Sequence, residues 1–92
     1  MIKLVEIIQT FKNEYTLREI YINPVHVVYL REDTQMKVKL EEGNLPENLD
    51  TRQAFTRLQV HNGTVGSEFV VVGKPTIIES KLKGSSKELL HG

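Results

Sequence analysis

The chain reads as a mainly β domain, α+β by strict count. The expected architecture is five or six antiparallel strands in a curled sheet or partial barrel, with a short C-terminal helix. Three observations predict it. Short runs rich in β-branched and aromatic residues recur between turn residues, most densely in VHVVYLR (25–31) and EFVVV (68–72). Apolar and polar residues alternate over 36–40 and again over 55–61. Asn62-Gly63, between the last two runs, is a strong hairpin signal.

Taken in order, the opening segment carries Leu4, Ile7, Ile8 and Phe11 at helical spacing. Ile2, Val5, Ile7 and Ile8 are β-branched, however, and no good N-cap precedes them, which favours a strand over 2–11. Thr16-Leu17-Arg18-Glu19 has the form of a helix capping box. Asn23-Pro24 arrives before two helical turns could complete, so a strand from Tyr15 to Asn23 is expected instead. Another strand spans 25–31, and Glu32, Asp33 and Thr34 make a turn. Met36, Val38 and Leu40 against Lys37 and Lys39 predict a half-buried strand over 36–40. Residues 41–54 read as a surface loop with room for one helical turn.

A strand over 55–61 then leads into a hairpin loop from Asn62 to Gly66, and 68–72 returns as its partner. Gly73 and Pro75 end the sheet and open a helix near 75–83, with Ile77, Ile78 and Leu82 along one edge. Residues 1–83 therefore form a single domain, and 84–92 a polar tail. The expected core is Leu4, Ile20, Ile22, Val28, Leu30, Val38, Leu40, Leu58, Val60, Val70, Val72 and Ile78.

Composition narrows the function classes. With 92 residues the chain has room for one core, and 12 basic against 12 acidic residues make the formal net charge zero. That balance argues against a strongly basic nucleic-acid module. The absence of cysteine removes disulfides, thiolate metal sites and cysteine nucleophiles. Lys3, Glu6 and Lys12 interrupt the apolar N-terminal stretch, which reads neither as a signal-peptide core nor as a membrane span. The expected setting is a reducing bacterial or viral cytoplasm, with no membrane partner.

Little in the chain points to chemistry. Gly66 and Gly73-Lys74 suggest a phosphate loop, but six residues separate them instead of four, and Pro75 replaces the hydroxyl residue that would bind magnesium. His26, His61 and His91 lack the spacing of a zinc motif. The clusters Glu32-Asp33 and Glu41-Glu42 read as solvated loop charges. No catalytic residue, cofactor or metal ligand is therefore predicted, and the chain is not expected to be an enzyme.

Binding is the better expectation. Alternation places Tyr21 and Tyr29 on the polar face, near Lys37 and Lys39, and these four form the candidate binding surface. The leading reading is a small non-catalytic cytoplasmic interaction or regulatory module that meets an unidentified protein partner. The alternative is a small β-barrel binding single-stranded nucleic acid by stacking and phosphate attraction, which zero net charge disfavours. A small open sheet also leaves two unpaired edges, and 25–30 and 69–72 carry few charges to guard them. A homo-oligomer is expected on that ground.

The stretch EIYINPVHVVYLRED (19–33) resembles the small flagellar FlbD-like family of bacterial and phage proteins. That family pairs a short lysine-and-leucine start with a strand ending in Asn-Pro, a His-Ile-Val strand, an Asn-Gly hairpin, a Val-Val strand and a short helix. The counterparts here are residues 2–4, 20–24, 26–30, 56–63, 70–72 and 75–82. Residues 5–18 exceed the family's opening hairpin, 34–54 look like an insertion, and Lys74 stands where a helix-capping residue is usual. The resemblance implies a small β-rich module without catalytic residues.

Overall fold

Five antiparallel strands build the frame: β1 (Ile2–Gln9), β2 (Tyr15–Ile22), β3 (Val27–Glu32), β4 (Phe55–Asn62) and β5 (Val65–Val72). A computed structural model supplies this architecture and describes residues 1–12, 14–43, 49–50 and 52–91, with backbone alone for 62 and 85–91. The strand order is β2-β1-β5-β4-β3, and the sheet stays open. Among the described residues two α-helices, α1 (Thr34–Glu41) and α2 (Pro75–His91), cover opposite faces of the sheet.

Two-sided cover explains the core. On one face Leu4, Ile22, Leu58 and Val71 are buried with Ile78 of α2, and Leu82 packs against them. On the other, Ile7 and Phe55 are buried with Leu40 of α1. Successive side chains of a strand point to opposite faces, so both sets of alternate positions are wanted inside. Ile7, Phe55 and Val71 thus join the core although a one-sided pattern passes over them. Of the expected core, Leu4, Ile22, Leu40, Leu58 and Ile78 are buried. Ile20, Leu30, Val60, Val70 and Val72 are half-buried.

Val28 and Val38 contradict the expected core, at 61% and 49% exposure. The β3–β4 register shifts between Val27 and Tyr29, and a residue at such a bulge drops out of the pairing. Val38 follows from a larger correction: residues 36–40 are helix, not strand. Asp33 caps α1, its carboxylate accepting from the Met36 N–H at 2.9 Å. Met36 and Leu40, four apart, then share one helix face against the sheet, while Val38 turns outward. Five alternating residues are too few to separate the two periods.

Smaller differences concern boundaries. Pro24–His26 form a 3-10 turn capped by the Asn23 side chain, so β3 begins only at Val27. The hairpin closes through Gly63-Thr64 alone, with Asn62 paired to Val65, instead of running on to Gly66. Gly63 takes a φ of +72° there, which suits the tight turns that match strand twist. The last helix continues through His91 across residues read as a polar tail. A single interior glycine such as Gly84 costs only about 1 kcal/mol, too little to stop a formed helix. Residues 44–48 and 51 of the expected loop lie outside the described residues.

Gly73 joins β5 to α2 in a backbone conformation that a side chain resists, with a φ of +133°. A Cβ there would stand 3.0 Å from Ile78 Cδ1. Its N–H donates to the Ala54 carbonyl at 2.9 Å, and its carbonyl accepts from the buried Thr56 hydroxyl at 2.8 Å. Gly73→Ala is therefore expected to cost about 1–3 kcal/mol, read as a lower denaturant midpoint at unchanged slope. An unchanged midpoint would contradict the strained joint.

Candidate interaction surfaces

The ladder from β3 through β4 to β5 sets one group of side chains beside another. Antiparallel partners share a face, so Arg31 opposite Arg57, Tyr29 opposite Gln59 and Gln59 opposite Glu68 make one polar surface beside α1. The Tyr29 hydroxyl donates to Glu68 Oε2 at 2.8 Å. Arg57 Nη1 donates to Glu68 Oε1 at 3.1 Å. The same guanidinium reaches Asp33 Oδ2 through Nε at 3.1 Å and Nη2 at 2.8 Å. Arg31 lies over the Tyr29 ring, 5.9 Å from its centroid. The Asp33 end opens into a cleft of about 190 Å³ lined by Arg31, Glu32, Asp33, Thr34, Gln35 and Arg57.

These bonds set the ionisation of the cleft. Burial pushes the Asp33 carboxyl up, but the Met36 N–H and the Arg57 guanidinium outweigh it and hold the group below its ordinary 3.8. The bond from the Tyr29 hydroxyl, seconded by Arg57, lowers Glu68, and the same bond raises Tyr29. Arg57 is raised chiefly by its bond to Asp33. Asp33, Glu68 and Arg57 are thus stabilised in their charged forms, and Tyr29 in its neutral form.

The four residues singled out from the sequence do not converge. Tyr21 stands on β2 and Tyr29 on β3, the opposite edges of the sheet. Lys37 and Lys39 belong to α1; Lys37 donates to the Gln53 carbonyl at 2.8 Å, and Lys39 sits 5.4 Å from the centroid of Tyr15. Only Tyr29 joins the network. Asp33, read with Glu32 as a solvated loop charge, is instead buried at 4% exposure because it caps α1 and binds Arg57. Arg31, Arg57 and Glu68 carry no signal that the sequence reading uses. An Asp three residues before Met36 was a readable capping signal, and a two-residue hairpin turn would have put Arg57 diagonal to Glu68.

His26 lies half-buried in the 3-10 turn and His61 is exposed on β4. Among the described residues, no group of three or more His, Cys, Asp or Glu could hold a metal ion. Among the same residues, no helix is long and apolar enough to cross a membrane. The two strands expected to form open edges differ in position: β5 lies inside the sheet between β1 and β4, whereas β3 is an edge interrupted by its bulge. The second edge is β2. No family model matches the chain, and no curated protein or solved structure matches it.

Proposed function

We propose that the chain is a small non-catalytic interaction module of the cytoplasm that binds a protein partner through the Tyr29–Arg31–Arg57–Glu68 surface. The braced network carries this reading. Tyr and Arg dominate the energetics of protein interfaces, and here their rotamers are held by bonds made before any partner arrives. Less conformational freedom remains to be lost on binding. Arg31 and Arg57 stand among Glu32, Asp33 and Glu68, a local balance that favours a mixed-charge protein surface over a phosphate backbone. Asp33 and Glu68 are held ionised, the reverse of what a general acid needs.

The test compares proteins retained from bacterial lysate by the immobilised full chain and by a Tyr29→Ala, Arg31→Ala variant. One defined protein should bind the wild type and be lost from the variant, with circular dichroism unchanged. Equal retention by both would remove this surface from the function. A parallel fluorescence-anisotropy titration uses single-stranded DNA at low and moderate salt. Strongly salt-dependent binding that falls in Lys37→Ala, Lys39→Ala would transfer the function to a nucleic-acid partner.

A further inference from the structure

We propose that the outer edge of β2 is a self-pairing site. Two copies join β2 to β2, antiparallel, about a twofold axis through Arg18, and make one continuous sheet. This surface is separate from the Tyr29 network, which lies at the other side of the sheet.

An edge strand offers half of its backbone N–H and C=O groups outward, and proteins normally guard such edges with bulges, prolines or charges. β3 is guarded: Pro24 precedes it and its register is broken at Val28. β2 has neither device. It pairs with β1 at every position from Ile2↔Ile22 to Gln9↔Tyr15 without a shift, and it contains no proline or glycine. Its two charges, though exposed, lean across the sheet toward β1. Arg18 Nε donates to Glu6 Oε1 at 2.8 Å, and Glu19 lies 3.8 Å from Lys3 Nζ. Both partners are on β1, so neither charge is committed to shielding the outer edge.

Symmetry and charge choose the register. In an antiparallel pair, opposed residues share a face, so the axis must pass through a residue and not between two. Arg18 and Glu19 are the central choices. The Glu6 carboxylate, whose side chain is only 6% exposed, neutralises Arg18 at close range, whereas Glu19 and Lys3 are both open to water. An axis at Arg18 therefore brings together two compensated pairs, while one at Glu19 would oppose two weakly compensated carboxylates. With Arg18 on the axis, Tyr21, 62% exposed in the single chain, falls opposite Tyr15 of the partner subunit. Thr16 falls opposite Ile20 of the partner subunit. Arg18 meets Arg18 of the partner subunit, each compensated by its own Glu6, and Leu17 falls opposite Glu19 of the partner subunit. The Tyr15–Tyr21 and Thr16–Ile20 pairs on both sides of the axis therefore carry the contact and call for a second copy as the occupant.

Light scattering and sedimentation of the full chain from low to high micromolar concentration test the proposal. The wild type should reach twice 10.6 kDa. Tyr21→Lys sets a second cation beside Lys3 and should weaken self-association about tenfold or more, with circular dichroism unchanged. Thr16→Lys, on the other face of β2, should act alike and serves if Tyr21→Lys does not fold. Val28→Lys on the β3 edge should leave the mass unaltered, as should Tyr29→Ala with Arg31→Ala. A wild type that stays at 10.6 kDa into the high-micromolar range overturns the proposal. A dimer that survives both β2 lysines, or breaks with Val28→Lys, overturns it as well.

Discussion

Phe55→Ala is expected to lower stability by about 3–5 kcal/mol, a large share of what a domain of this size possesses. Phe55 opens β4 with no exposed surface and packs with Ile7 of β1 and Leu40 of α1. Its carbonyl also accepts the Asp33 N–H at 2.9 Å, so the same residue sets the backbone from which α1 departs. Truncation empties the centre of the α1-side core, and the rigid sheet beneath cannot collapse to fill it. Thermal unfolding should shift down by about 4–8 °C for each kcal/mol lost. Val38→Ala, on the outer face of the same helix, should change stability by less than about 0.5 kcal/mol. Equal costs at the two positions would mean that α1 does not pack as described.

Replacing Asp33 should have the second-largest effect, because one carboxylate serves both a helix and a strand. Asp33→Ala removes the cap on α1, worth about 1 kcal/mol. It also removes the two Arg57 bonds, which count for less than a fully buried pair because 28% of the Arg57 side chain remains exposed. Arg57 keeps Glu68 as a partner at 3.1 Å. A total loss of about 2–3 kcal/mol follows from these terms.

The pH dependence has a definite sign. The folded-state value of Asp33 lies below its ordinary 3.8, so the unfolded chain binds this proton more readily. Its stabilisation is fully present above the unfolded value and is lost as pH falls through the folded one. Denaturant midpoints measured from pH 7 downward should therefore fall below about pH 4, and fall less steeply in Asp33→Asn. Parallel acid profiles for the two proteins would show that Asp33 is not the group responsible.

Much of the fold was legible because its cues are local. Turn residues at Asn23-Pro24, Asn62-Gly63 and Gly73-Pro75, with β-branched runs between them, marked the strands and the final helix. Such cues act within a few residues and need no knowledge of distant neighbours. The segment Met36–Leu40 fits both periods, and the choice fell to the Asp33 cap and to the pocket that Ile7 and Phe55 offer Leu40.

The candidate site was mostly illegible for a related reason. Tyr29, Asp33, Arg57 and Glu68 are scattered over forty residues of chain and meet only because β3, β4 and β5 align in one register. Tyr21 and Tyr29 read as partners in the sequence, yet the order β2-β1-β5-β4-β3 sends them to opposite edges. By itself, the sequence determined that this chain makes a small antiparallel sheet with a C-terminal helix, since propensity and turn chemistry act residue by residue. Tertiary structure alone decided which strands became edges, which faces were covered and which charges met, because those depend on long-range pairing whose energy is shared among residues far apart in the chain.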